Sequence, residues 1–189
     1  MSLEMLKESL QEASIIKKGN YYYVIHSITD GIPKVEPKLL HEVTNEMQKR
    51  IERCGRIDKI VTIEAMGIPL AAVLSQKMNL PFTIIRKRAY NLPDEVSVDQ
   101  ITGYSKSRLY INGLERGDSV VIVDDVLSTG GTLRAVLKAF EKMDVAVKGV
   151  FIVINKGDIA EKVMGESKVT IDTLVDIEII DGNKVIIKS

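Results

Sequence analysis

The stretch VVIVDDVLSTGGTL, residues 120–133, decides how this chain is read. Val120–Val123 form an apolar run of strand length, Asp124 and Asp125 follow side by side, and apolar positions at helical spacing run from Gly131 to Met143. Between acids and helix lie Ser128, Thr129, Gly130, Gly131 and Thr132. Glycine permits positive φ and close approach, so this run predicts a loop that turns several backbone N–H groups toward one point. A helix starting at Gly131 adds its own unpaired N–H groups and the positive end of its dipole, worth roughly 0.3–1 kcal/mol per negative charge. The hydroxyls of Ser128, Thr129 and Thr132 are further donors. Such a loop suits a phosphate, and two carboxylates at the strand end can accept hydrogen bonds from a pair of sugar hydroxyls or face a phosphate-bound Mg²⁺. A plain capped turn between strand and helix needs no such combination. The spacing is neither that of a Walker A loop nor that of a dinucleotide-binding Gly-x-Gly-x-x-Gly turn.

Working outward, Ile60–Ile63, Phe82–Ile85 and Val150–Ile154 are further short apolar runs, each bounded by charge, Pro or Gly, as buried parallel strands are. Helical spacing recurs over residues 2–14, 37–54 and Ile68–Met78, and Pro37 stands where a first helical turn tolerates a missing N–H. Strand, loop and helix alternate, which predicts an α/β fold: a central, mostly parallel sheet flanked by helices. From Lys87 to about residue 108 the chain is polar and reads as a lid. Beyond Lys156 one short helix and the runs Val169–Leu174, Ile177–Ile180 and Lys184–Ile187, the last two joined at Asp181-Gly182-Asn183, read as a small cap beside the main sheet. With no repeat or linker, residues 1–189 read as a single domain.

Composition narrows the function classes. Lys and Arg total 26 and so do Asp and Glu, giving zero formal charge, so no global field draws the chain to nucleic acid or an acidic membrane. A lone cysteine, Cys54, excludes an internal disulfide and points to a reducing, cytoplasmic setting. The N-terminus is charged and amphipathic, unlike a signal peptide or a membrane span. His26, His41 and Cys54 stand in no triad or metal spacing and receive no role, and Tyr21-Tyr22-Tyr23 reads as strand packing.

The stretch at 120–133 resembles the signature of type I phosphoribosyltransferases, enzymes that use 5-phosphoribosyl-1-pyrophosphate (PRPP) with Mg²⁺. The resemblance implies that Asp124 and Asp125 hold the ribose hydroxyls and that Val126, Leu127 and Ser128 to Thr132 wrap the 5′-phosphate. It also implies a parallel sheet with a hood, built here from the N-terminal segment and residues 157–189. Thr62-Ile63-Glu64-Ala65-Met66-Gly67 is similar to the pyrophosphate loop of the adenine and xanthine enzymes, which makes Glu64, Ala65, Met66 and Gly67 candidate PRPP-binding residues. The adenine enzymes commonly carry Arg where this chain has Met66, so that contact is either lost or supplied elsewhere, with Arg86, Lys87 and Arg88 as candidates, of which the resemblance carries over Arg86 and Lys87. Tyr104, Ser105 and Lys106 resemble part of the family's catalytic lid. Ile152-Val153-Ile154-Asn155-Lys156-Gly157 resembles the stretch where xanthine and hypoxanthine-guanine enzymes present a lysine to the 6-oxo group, and Lys156, a donor without acceptor capacity, suits a 6-oxopurine better than adenine. From Asp30-Gly31-Ile32-Pro33 to this lysine the chain looks most like the archaeal-type hypoxanthine/guanine enzymes. The expectation is a homodimeric purine salvage enzyme. The alternatives are adenine or xanthine specificity on the same scaffold and, in another class, a PRPP-sensing regulator without catalysis, for which the chain has no basic recognition helix.

Overall fold

A computed structural model describes residues 3–19, 21–101, 106–182 and 184–188. The chain begins with α1 (Glu4–Gln11), the hairpin β1 (Ser14–Lys18) and β2 (Tyr21–Ile25), the short α2 (Ser27–Asp30) and α3 (Pro37–Ile51), which ends in a 3₁₀ turn at Glu52–Cys54. Then come β3 (Lys59–Ile63), α4 (Gly67–Met78) and β4 (Phe82–Ile85), followed by β5 (Val96–Ile101) and β6 (Lys106–Ile111). The second half holds β7 (Ser119–Leu127), α5 (Gly131–Met143), β8 (Ala146–Lys156), α6 (Ile159–Ser167), β9 (Ile171–Ile180) and β10 (Lys184–Ile187).

The main sheet has the order β10-β9-β8-β7-β3-β4 and is parallel throughout except for the antiparallel edge strand β10. Alternation along each strand divides the core. Val121 and Val123 of β7 pack toward α1, α3 and α4, with Leu6, Met47 and Leu74 fully buried on that face. Val120 and Ile122 pack toward α5 and α6, where Phe140 and Val163 are fully buried. Both faces of β7 are therefore dry, which is why its sequence is an unbroken apolar run instead of an alternating one. Each such side chain contributes about 1.5–3 kcal/mol of burial free energy. Because β3 and β7 are parallel neighbours, with Thr62 opposite Val123, the loops that follow them open at the same edge of the sheet.

Three expectations change. The lid region is not one long loop: β5 and β6 form an antiparallel ribbon, with Val96 opposite Ile111 and Val98 opposite Leu109. Leu109 and Ile111 are buried against the α5 face, so the weak Val-Ser-Val-Asp alternation at 96–99 was a strand signal. Among the lid residues, Lys106 opens β6, and Tyr104 and Ser105 lie outside the described residues. The cap is not beside the main sheet. Residues 171–180 are one continuous strand hydrogen-bonded to β8, and β10 extends the same sheet, while the β1–β2 hairpin forms a separate two-stranded sheet. The first helix stops at Gln11, and its expected tail turns into β1.

Candidate functional site

β7 runs past its apolar half, carrying Asp124 to Leu127 on to pair with Ile152 to Asn155 of β8. The two acids are thus held by the sheet, not by a flexible turn. Asp125 is 8% exposed and Asp124 is half-buried. After Ser128 and Thr129 the chain turns at Gly130, whose φ of 73° is left-handed, and α5 begins behind this glycine N-cap, which offers no side-chain cap. A helix start behind a glycine corner has the backbone geometry that suits an anion. Across the gap, the turn after β3 carries Glu64, joined to Ala65 by a cis peptide bond, and then Met66 and Gly67 at the start of α4.

A cavity of about 170 Å³ collects Glu64, Lys87, Asp124, Asp125, Val126, Leu127, Ser128, Thr129, Gly130 and Thr132 in its wall. Ala65, Met66, Gly67, Arg86, Gly131 and Lys156 stand outside that wall. Gly67 is required by clearance: a Cβ there would come 2.6 Å from Asp124 Oδ1 and 3.1 Å from the Val123 carbonyl oxygen, and closer still to Thr62 Oγ1. Met66 turns toward Gly31, where a Cβ would meet its Cε at 3.5 Å. Glu64 faces the basic residues: its Oε2 lies 3.2 Å from Arg86 Nε and accepts a hydrogen bond of 3.2 Å from the Lys87 amide. Glu64 thus ties the Arg86 side chain and the Lys87 backbone to the turn after β3. Arg86 is tied again through its backbone, which exchanges hydrogen bonds of 2.9 and 2.7 Å with Tyr110 of β6.

Lys156 ends β8 and donates a 3.2 Å hydrogen bond to Tyr21 Oη, with its ammonium 5.3 Å from the ring centre of Tyr21 and 5.9 Å from that of Tyr23. The edge-to-face pair of Tyr21 and Tyr23 therefore does more than pack a strand. Asn155, buried beside it, donates to the Gly157 carbonyl and to Asp176, and accepts from the Ala160 amide, fixing the turn that presents Lys156. Sequence reading missed these supports because hydrogen-bond partners distant in the chain leave no periodic trace. It also gave His26 no role, whereas His26 Nδ1 caps α2 by accepting from the Ile28 amide.

The acids are electrostatically poised. Burial, and then the negative charge of Asp125, drive the Asp124 carboxyl well above the ordinary carboxylate range. Burial raises Asp125 to about 6, the charge of Asp30 adding to it while the Asp124 hydrogen bond and Lys156 act the other way. Because the folded pKa exceeds the unfolded value of 3.8, the stability that this proton confers is fully present below pH 4 and is lost as pH rises through about 6. Two pKa units correspond to about 3 kcal/mol. Comparing thermal unfolding of the ligand-free protein with that of Asp125→Asn from pH 4 to 7 should therefore show the wild type losing ground as pH rises; a constant difference would refute the assignment.

The profile of the Phosphoribosyl transferase domain matches residues 34–182, a span that contains both loops, both acids and Lys156. The chain belongs to the phosphoribosyl transferase family. Within that family, the hypoxanthine/guanine phosphoribosyltransferase of Methanothermobacter thermautotrophicus is 52% identical over 180 residues, covering 95% of this chain and 92% of its own. That of Methanothermus fervidus is 46% identical over 187 residues, covering 99% and 98%. Among solved structures, adenine phosphoribosyltransferase from Saccharomyces cerevisiae superposes with a TM-score of 0.76 at 19% identity, covering 92% of this chain and 98% of that one. The adenine phosphoribosyltransferase of Thermoanaerobacter pseudethanolicus gives 0.74 at 22% identity, covering 92% and 99%. At such identities the likeness is one of fold, and the family's α/β architecture is what these structures share with the present chain.

Proposed function

We propose that the protein transfers the 5-phosphoribosyl group of PRPP to N9 of hypoxanthine or guanine, releasing pyrophosphate and forming the 6-oxopurine nucleotide. The observation that carries this reading is the meeting, in one cavity, of the Asp124 and Asp125 carboxylates, the loop residues Ser128, Thr129, Gly130 and Thr132, and Lys87. In this assignment the loop amides and hydroxyls hold the 5′-phosphate, Asp124 and Asp125 accept from the ribose hydroxyls, and Lys87, with Arg86 behind it, faces pyrophosphate. As the bond from C1 to pyrophosphate lengthens, positive charge grows on the sugar, and the fixed carboxylates favour it. N9 of the base attacks C1, and the N9 proton leaves to solvent.

The two acids are hard oxygen donors placed side by side and suit Mg²⁺. Among the described residues no cluster of three or more His, Cys, Asp or Glu forms a self-sufficient metal site, so substrate oxygens would complete the coordination. Bound there with PRPP, the ion would offset the charge of the departing pyrophosphate. The β1–β2 hairpin and the end of the sheet at β9–β10 serve as the hood over the base, and the ribbon region at 87–108 as the lid. We assign the working form to a cytoplasmic homodimer that binds neither nucleic acid nor membrane. Among the described residues no helix is long and apolar enough to cross a membrane.

Lys156 favours 6-oxopurines over adenine, since its ammonium donates to a ring carbonyl and cannot accept from an amino group. A spectrophotometric assay with PRPP, Mg²⁺ and each of hypoxanthine, guanine, xanthine and adenine tests this. Turnover is expected with hypoxanthine or guanine, and Lys156→Ala should lower kcat/KM for them by about 10–100-fold, the worth of a hydrogen bond to a charged group. Preferred use of adenine would overturn the base assignment; binding of PRPP without turnover on any base would favour the regulator.

A further inference from the structure

The glycine corner of the loop is gripped from outside the cavity. Arg134, one turn into α5, folds its side chain back along the helix start, and its Nη1 donates a 3.0 Å hydrogen bond to the carbonyl of Thr129. The other edge of the same guanidinium forms a two-pronged pair with Glu166 of α6, Nε to Oε2 at 2.5 Å and Nη2 to Oε1 at 2.9 Å. Gly130 leaves room for this arrangement. A Cβ at that position would collide with Arg134 Nη1, and would lie 2.8 Å from Val163 Cγ2 and 3.1 Å from Ile159 Cγ2 of α6. Arg134 itself is not in the cavity wall.

We propose that Arg134 and Glu166 are positioning residues: together they strap the loop at 128–130 to α6 and so fix the direction in which its amides point at the 5′-phosphate. This rests on the reading that the loop binds phosphate. A planar guanidinium can hold a carbonyl with one edge and a carboxylate with the other, which sets both distance and orientation; an ammonium cannot do both. The pair is too exposed to matter much for folding, with side-chain exposures of 33% and 55%. Its effect should therefore appear in ligand affinity and not in the unfolding temperature.

The rival explanation is that Arg134 merely adds positive charge near the phosphate. Glu166→Gln separates the two, because it frees a cation while breaking half of the strap. Positioning predicts weaker PRPP binding; a charge effect predicts tighter binding. Titration of PRPP with Mg²⁺ into each variant is expected to give Kd raised about tenfold for Arg134→Ala, or about 1.4 kcal/mol, with Arg134→Lys failing to restore it and Glu166→Gln raising it severalfold. Unfolding temperatures should stay near wild type, and KM for PRPP should rise more than kcat falls. Wild-type affinity in Arg134→Ala, or tighter binding in Glu166→Gln, overturns the proposal. Ser128→Glu, which puts a negative charge into the loop itself, distinguishes the underlying reading: if it too leaves PRPP affinity unchanged, the loop is not the phosphate site.

Discussion

Asp125→Asn is expected to cut turnover by about 10²–10³-fold, the range found when a group aimed at developing transition-state charge is removed. The same substitution should raise the unfolding temperature of the ligand-free protein at pH 7. The wild-type fold holds a buried carboxyl whose pKa is lifted to about 6, so at neutral pH it carries a charge that water would solvate better. Removing that charge relieves the fold while depriving the reaction of its partner. Opposite movements of activity and stability mark a group kept for function. Equal turnover in Asp125→Asn would sink the catalytic role, and a lower unfolding temperature would sink the electrostatic argument.

The second large effect is expected at Gly67, where a single methyl group has nowhere to go. Gly67→Ala places a Cβ against Thr62 Oγ1, Asp124 Oδ1 and the Val123 carbonyl. The backbone of a central parallel strand yields little, so Asp124 must move. We expect a loss of about 1–3 kcal/mol in stability, typical of overpacking, and a fall in turnover of about 100-fold. Thr62→Ala in the same chain removes the nearest obstruction. Thr62 Oγ1 is buried and has no hydrogen-bond partner among the described residues, so its loss is cheap. The double variant should regain most of the stability, as read by thermal unfolding, but not all of the turnover. Wild-type kinetics in Gly67→Ala would show that the position of Asp124 is not critical.

What the sequence made legible follows from how locally each feature is encoded. The strand Phe82–Ile85 and the helix Gly131–Met143 were readable to the residue, because strand length, glycine corner and helical spacing all lie within a few neighbours. β7 was readable only to Val123, since Asp124 and Asp125 interrupt its apolar run and the strand continues to Leu127 through pairing with β8. β9 looked like two short strands because Asp176 interrupts its apolar pattern. In the fold that acid accepts from Asn155 and from Thr173, contacts no local pattern discloses. The same holds within the site. Asp124, Asp125 and residues 128–132 announce themselves by composition, whereas the strap from Arg134, the anchor at Glu64 and the clearance at Gly67 depend on chain segments far apart in sequence. Thr62 gave no signal at all, for a threonine inside an apolar strand is ordinary.

The cradle of Tyr21 and Tyr23 around Lys156 has a thermodynamic side. A lysine on a surface samples many rotamers, and immobilising one costs about 1.5–2 kcal/mol. Here the side chain is already confined by two rings and a phenolic oxygen before any ligand arrives. The disorder that a free lysine would surrender on meeting a partner has been surrendered during folding, so under the proposed function a purine carbonyl would encounter a donor held in place from the start.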